Sequence, residues 1–279
     1  MPVDGKFLAS FKPPYFVCSA MGTMMFRSSC DICGGSSFEP VSKYQVDPWP
    51  LVQCRNCGFV LLQTVPEYAA LADELAWEKS LVIERARRKK SVWGRLDTAT
   101  RWRLRLKYLL RRAPRFPKGN VLDVGCGGGC RIPEGSTPYG IEISASLAAR
   151  AAPLFEARGG RVVHAPAVEG LSGLSTGQFQ AILMRSYLEH EAQPRKALSE
   201  AVRCLAPGGL IHVRVPNFAS LNRRIVGRRW CGFRFPDHVN YFTPKTLRAL
   251  AEDVGLIYQP KRRLSLLDDN ITADLLKAA

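Results

Sequence analysis

The sequence is short of several things, and each shortage removes a class of function. No apolar run reaches the roughly 18–20 residues that a membrane span needs, so no transmembrane helix is expected. The N-terminus does not read as an export signal, because Pro13 and Pro14 break its apolar stretch and no small-residue cleavage site stands out. No Gly-Lys-Ser or Gly-Lys-Thr follows the glycine-rich stretch at 125–129, which excludes a phosphate-binding P-loop. Histidine is rare, four residues in 279, so few side chains titrate near neutral pH. Acidic residues are scarce as well, 24 against 40 Lys and Arg, for a net charge of +16.

That charge is unevenly spread. From Lys79 to Lys118 there are fifteen Lys and Arg against only Glu84 and Asp97. Basic surface of this density favours anionic partners: RNA, a diphosphate-bearing substrate or an acidic membrane face. A solvated helix face accounts for it equally well. With no span and no export signal, the chain reads as cytoplasmic. Its nine cysteines then argue for metal or free thiols and against disulfides.

Four of the cysteines form two pairs, Cys30-Asp-Ile-Cys33-Gly34 and Cys54-Arg-Asn-Cys57-Gly58. Four thiolates in this spacing satisfy tetrahedral Zn²⁺ and close the coordination shell, so the role expected is structural. Between the pairs lie Val41, Tyr44, Val46 and the Asp47-Pro48-Trp49-Pro50 turn, read as short β material, and Phe59 to Leu62 reads as a further strand. The alternatives are a redox dithiol or four unrelated thiols. Neither pair precedes a helical pattern of the thioredoxin kind. The segment resembles a zinc ribbon, and a unit of about 40 residues needs such a staple to fold.

The stretch Val121-Leu-Asp-Val-Gly-Cys-Gly-Gly-Gly129 organises the rest. Val121, Leu122 and Val124 suit a buried parallel strand. The glycines let the backbone turn and lie close to a ligand. Such a unit binds a nucleotide-like cofactor at the carboxyl end of a parallel sheet. Asp123 precedes the first glycine, which is not the dinucleotide arrangement. The order resembles the first motif of class I S-adenosylmethionine (SAM)-dependent methyltransferases. The resemblance runs from about residue 119 to 257 and implies a Rossmann-like, doubly wound α/β sheet. It implies SAM contacts at Asp123, Gly125, Cys126, Gly127 and Gly129, with Glu142 at the end of the second strand accepting hydrogen bonds from the ribose. The acid usual after the third strand is replaced by His164-Ala-Pro-Ala-Val-Glu169. Adenine contact is therefore expected around Ala167 and Val168, with Glu169 a solvent-exposed residue at a helix start.

Only ten residues, Cys130 to Tyr139, follow Gly129 before Gly140-Ile-Glu-Ile143. A crossover helix needs a dozen or more, so the first helix of the fold is expected to be shortened or replaced by a loop. Ser144 to Ala152 reads as a helix and Arg161 to His164 as a third strand. The fourth strand, Phe179 to Met184, exits through Arg185-Ser-Tyr-Leu-Glu-His190 toward the methyl-donor side. This exit resembles the Leu-Glu-His segment of small-molecule methyltransferases. A helix from Pro194, the Pro207-Gly-Gly209 turn and a fifth strand to Val215 complete the match. A seventh strand is left open.

An insert follows, with Arg223, Arg224, Arg228, Arg229, Trp230, Phe233, Arg234 and Phe235 leading to His238-Val-Asn-Tyr241-Phe-Thr243. Arg interleaved with aromatics can stack on bases or grip a pyrophosphate; it can equally cover a sheet end. Methyl transfer needs a base only where the nucleophile carries a proton. His238 is the first candidate, with Tyr241 as helper and His190 next, although a structural role at a helix start suits His190 better.

The domains expected are a disordered or mis-assigned extension (1–25), a zinc ribbon (26–65), a basic helical linker (66–118) and the SAM-binding domain (119–279). The leading function is methyl transfer to a small anionic acceptor such as a sugar nucleotide or glycan precursor. The pairing resembles zinc-ribbon sugar C-methyltransferases, without their extra C-terminal domain. RNA methylation is the second reading, and an inactive SAM- or RNA-binding adaptor the third. No Asn/Asp-Pro-Pro-Tyr/Phe tetrad, the signature of base-amino methylation, follows the fourth strand.

Overall fold

The computed structural model describes residues 24–45, 47–66, 117–261 and 268–279. The expected linker from 67 to 116, with most of the basic segment, lies outside the described residues, as do 1–23 and Val46.

The N-terminal module carries β1 (Met24–Phe26), β2 (Phe38–Pro40), β3 (Leu51–Cys54), β4 (Val60–Leu62) and β5 (Thr64–Pro66). β1 pairs antiparallel with β5. Strands β2, β3 and β4 form an antiparallel meander. Residues Ser42–Tyr44 form a single 3₁₀ turn in place of the β structure expected there.

The large sheet is built from β6 (Gly119–Val124), β7 (Ser136–Glu142), β8 (Arg161–His164), β9 (Phe179–Arg185) and β10 (Leu205–Pro216). After β11 (Asn240–Tyr241) come β12 (Ile257–Pro260) and β13 (Asn270–Leu276). The sheet order is β12-β13-β10-β9-β6-β7-β8. Pairings among β6 to β10 are parallel. β13 runs antiparallel to both β10 and β12. The seventh strand therefore exists, inserted between the fifth and sixth. Leu122, Val124, Ile182, Leu183 and Met184 are buried because helices or the N-terminal module cover both faces. Strand order reverses at β6, which places a ligand crevice at its carboxyl end.

The helices follow local signals. α1 (Ala145–Glu156) starts at Ser144, whose Oγ accepts from Leu147 N, and it buries Leu147, Ala148, Ala151 and Phe155. α2 (Ala167–Ser172) is a short helix after β8. α3 (Pro194–Cys204) opens on Pro194, tolerated where an N–H would be unpaired anyway, and buries Ala197, Leu198 and Ala201. α4 (Leu221–Val226) is capped by Ser220. α5 (Pro244–Asp253) opens with a capping box between Thr243 and Thr246.

No helix lies between β6 and β7. The loop is instead held by Arg158, which donates to the carbonyls of Ile132 (2.8 Å), Pro133 (2.6 Å) and Ser136 (3.0 Å). Ile132 plugs into the cluster of Val121, Ala151 and Phe155. A guanidinium that satisfies three carbonyls and an apolar plug thus replace the missing helix.

β11, from the insert, pairs antiparallel with β4 of the N-terminal module. The small sheet is therefore four-stranded, in the order β11-β4-β3-β2, and belongs to both halves of the chain. The core is shared in the same way. Ile32, Phe59 and Leu61 pack in one cluster with Phe242, Leu247 and the central sheet, and the Phe59 and Phe242 rings lie 5.2 Å apart.

Candidate active site

The glycine loop turns at Gly125 (φ 71°) and Gly127 (φ 64°), a backbone region that a side chain disfavours. Among the described residues, no atom beyond the glycine and its two chain neighbours lies within 4 Å of where a Cβ on Gly127 or Gly129 would sit. The loop thus leaves open space over its outer face. Asp123 is buried at the end of β6, and Arg185, at the end of β9, reaches its Oδ2 at 2.7 Å. Burial pushes the Asp123 carboxyl up, and the Arg185 guanidinium opposes that push. Glu142 ends β7 with Oε2 accepting from Gly127 N at 2.8 Å and Oε1 accepting from Ser144 N at 2.9 Å. Each oxygen keeps a lone pair for a further donor, so the carboxylate can still take ribose hydroxyls.

Two expected contacts are altered by packing. Cys126 turns its thiol inward among Val121, Ile132 and Phe155, and burial pushes that thiol up to about 12. Only its backbone faces the loop. Ala167 is a core residue at the start of α2, which leaves half-buried Val168 as the side chain able to meet a ring there. Glu169 is exposed in the first turn of α2, as expected.

The exit of β9 is strained and polar. Ser186 adopts φ 55°, a left-handed conformation unusual for a non-glycine residue and typical of site turns. Beyond it, Glu189 is buried and His190 half-buried. His238, from the insert, packs edge-on against His190 with ring centroids 4.7 Å apart. Asp237 faces His190 Nδ1, with Oδ1 at 3.1 Å and its carbonyl at 2.8 Å. Burial opposes charge on His190, but the Asp237 carboxylate outweighs it and lifts the imidazolium to about 9. Burial would push Asp237 up, yet His190 brings it down to about 2. His238 is held at about 3 by burial and by the neighbouring His190 charge. It is therefore neutral at pH 7 but a weak proton acceptor.

Tyr241 does not reach this site. It lies in β11, 2 % exposed, among Phe218, Phe233 and Phe235. Trp230 and Phe235 are buried in the same cluster, where Tyr44, Leu51 and Leu62 of the N-terminal module meet the insert. The aromatics of the insert are thus interior, joining the two halves, and are not a base-stacking surface. Arg223 stacks on Phe218 with its guanidinium carbon 4.0 Å from the ring centroid and donates to Tyr44 Oη at 3.0 Å.

Three residues that matter here were not read from the sequence. Glu189 sits between Leu188 and His190, and its sequence signal is its place in the Leu-Glu-His segment, which gave it no role of its own. Asn240 donates to the carbonyls of Leu188 (2.8 Å) and Glu191 (2.6 Å), clamping the turn that carries Glu189 and His190. Arg27, from the N-terminal module, donates to Asn240 Oδ1 and to Val239 O.

The four paired cysteines converge, with ligand atoms within 4.8 Å of one another. Cys30 Sγ lies 3.5 Å from Cys57 Sγ, and Cys33 Sγ lies 3.5 Å from Cys54 Sγ. The backbone N–H groups of Gly34 and Gly58 close the turns onto the carbonyls of Cys30 and Cys54. Four sulfurs from two turns could hold a tetrahedral cation.

Seven strands with one reversed, a glycine loop after β6 and an acid ending β7 define a class I SAM-dependent methyltransferase. The methyltransferase-domain family model matches residues 95–259, and the chain belongs to that family. Among curated proteins, the ubiquinone biosynthesis O-methyltransferase of Thiobacillus denitrificans is 30 % identical over 170 residues, covering 55 % of this chain and 70 % of that protein. The protein of the same name from Sodalis glossinidius is 27 % identical over 197 residues, covering 62 % and 77 %. A SAM-dependent methyltransferase structure from Archaeoglobus fulgidus aligns with TM-score 0.46 at 19 % identity, covering 64 % of this chain and 94 % of that one. The protein is a SAM-dependent methyltransferase. Among the described residues, no helix is long and apolar enough to cross a membrane.

Proposed function

We propose that this enzyme methylates a hydroxyl oxygen of a small acceptor. The observation that carries the reading is the β9 exit. Arg185, which contacts Asp123 on the cofactor side, lies five positions from His190, so cofactor-side and acceptor-side groups share one turn. The relatives named above, both O-methyltransferases, support oxygen as the acceptor atom. The chain's net charge of +16 suits an anionic acceptor, with sugar nucleotides and glycan precursors among the candidates. The RNA reading has lost its aromatic support, because Trp230, Phe235 and Tyr241 are interior.

When bound, SAM supplies a methyl group on a positively charged sulfur. The chain's own part is placement. The glycine loop offers open space and Glu142 offers free lone pairs for the cofactor. Arg185 balances the buried Asp123 charge and keeps a partly exposed edge on the site. Val168 borders the adenine side. His190 and His238 face the acceptor side as oriented imidazoles.

The same proposal gives Cys30, Cys33, Cys54 and Cys57 a structural zinc. Thiolates of this number and spacing suit zinc better than harder cations, and a closed shell leaves no position for chemistry. The zinc holds the sheet that β11 completes.

The test is label transfer from methyl-labelled SAM into hydroxylated aromatic acids, sugar nucleotides and extract fractions, with Asp123→Ala as the blank. Product NMR is expected to show a new O-methyl resonance. A methyl group on carbon or nitrogen would overturn the reading while leaving the enzyme class intact.

A further inference from the structure

Glu189 has no role in the site described so far. Its Oε2 is fully buried and receives no hydrogen bond among the described residues. An unpartnered buried carboxylate oxygen is costly, and its persistence asks what it faces. Ligand atoms of Glu189, His190 and His238 lie within 4.8 Å of one another. Among the described residues, this group and the four cysteines are the two sets so gathered.

The two imidazoles are already oriented. His190 Nδ1 bonds to the Asp237 carbonyl at 2.8 Å with the Asp237 carboxylate 3.1 Å away. His238 Nδ1 bonds to the Gly232 carbonyl at 2.8 Å. Facing carbonyl oxygens, both Nδ1 atoms are donors, which leaves Nε2 as the nitrogen each ring can turn to a cation; on His190 the cation displaces the proton that the Asp237 carboxylate otherwise holds there. A carboxylate or carbonyl on the far nitrogen is the usual support for a metal-bound imidazole. The rings meet at 85°, so they do not stack flat and each keeps an edge free.

The backbone holds the three residues together. Val239 N and Asn240 N donate to Glu189 O at 2.8 and 3.1 Å, tying the insert to the turn after β9. The His190 side chain retains 22 % exposure, which leaves a way in.

We propose that Glu189, His190 and His238 bind one divalent first-row cation at the exit of β9. Two imidazoles and one carboxylate leave coordination positions open, unlike the closed four-sulfur set. The cation also gives the buried Glu189 oxygen a partner that the described residues do not. On the O-methyl reading, an open position takes the acceptor's hydroxyl oxygen and lowers its pKa, its proton passing to solvent. An oxygen electron pair then forms the O–CH₃ bond while the S–CH₃ bond breaks and its pair returns to sulfur.

The experiment uses the full chain with its four-cysteine site loaded with zinc and titrates Mn²⁺, following the free-ion EPR signal. One Mn²⁺ per chain is expected. Glu189→Gln and His238→Asn should abolish that binding, and Asp237→Asn should weaken it about 10–100-fold. SAM binding by calorimetry checks that each variant is folded. A measurement on the parent protein guards against variants that do not fold. After Co²⁺ is added, NMR should show two exchangeable imidazole N–H protons shifted far downfield, a signal the four-cysteine site cannot give. Failure to bind either ion stoichiometrically, or binding unchanged in folded Glu189→Gln and His238→Asn, overturns the cation site. Because none of these readouts involves methyl transfer, a failed O-methyl reading would show separately, as product methylated on another atom.

Discussion

Arg27 donates to Asn240 Oδ1 at 2.9 Å, linking the N-terminal module to the turn that carries Glu189 and His190. Asn240 is buried and passes that contact on through its amide nitrogen to the carbonyls of Leu188 and Glu191. A residue of the N-terminal module therefore helps set the backbone of the turn after β9.

Asn240→Ala removes the partner of one guanidinium and of two carbonyls at once. Each buried polar group left unpaired costs about 1–3 kcal/mol. The expected outcome is a lower urea midpoint and a fall in kcat with the affinity for SAM unchanged, because Asp123, Glu142 and the glycine loop lie elsewhere. Denaturation curves and calorimetry with SAM check the two halves of that statement. A matching loss of SAM affinity would show that the clamp reaches further than the turn.

Chelating metal from the four-cysteine site, or replacing Cys54 with Ser, should release one zinc and loosen β3 and β4. β11 would lose its pairing partner, so methyl transfer should fall together with zinc content. Metal analysis alongside the transfer assay tests this. Full activity in zinc-free protein would separate the ribbon from the site.

Arg158→Ala should free the loop between β6 and β7. Hydrogen bonds from a charged donor contribute about 1.5–3 kcal/mol each, and part of that loss should appear at the cofactor loop. The expectation is a rise of about tenfold in the SAM dissociation constant, equivalent to about 1.4 kcal/mol, with zinc content unaltered. Calorimetry reads it directly.

The acid sensitivity of the sheet edge should trace to Asp274 in β13. Burial would push its carboxyl up, but His212, whose Nδ1 sits 2.7 Å from Oδ1, and Lys261 outweigh it and hold the pKa below the usual 3.8. A carboxyl depressed in the folded state adds stability above its unfolded pKa and loses it as pH falls through the folded value. Stability should therefore decline through the acid range below 3.8, with this group contributing at most about 1.4 kcal/mol per pH unit. Asp274→Asn should flatten that limb in thermal melts run against pH; an unchanged acid limb would assign it to other groups.

Local pattern made much of this legible. β6 and β9 are short, mostly apolar runs, ended by a glycine loop and a polar turn. The two cysteine pairs declare themselves by spacing, and the missing helix is a matter of counting residues between Gly129 and Gly140. What could not be read depends on partners far away in the chain. Tyr241 and Trp230 looked like site residues because aromatics beside arginines are ambiguous until burial is known. β13 was left open because the tail is short and Asp274 interrupts its apolar pattern, and only His212 on the neighbouring strand together with Lys261 explains why the acid is tolerated there. Glu189 was hidden for the same reason, since a lone acid in a motif says nothing about whether anything satisfies it.

The strand shared between β4 and β11 also bears on how the protein is made. Arg27 and Asn240 are separated by 213 positions, so on a ribosome adding about 5–20 residues each second the N-terminal module waits about 10–40 s for its last strand. Throughout that interval β4, with Val60, Leu61 and Leu62 all destined for the interior, presents an open apolar edge. The newborn chain is therefore most vulnerable to sticking to its neighbours before its catalytic half exists, and slower elongation or a premature stop should send it toward chaperones or aggregates.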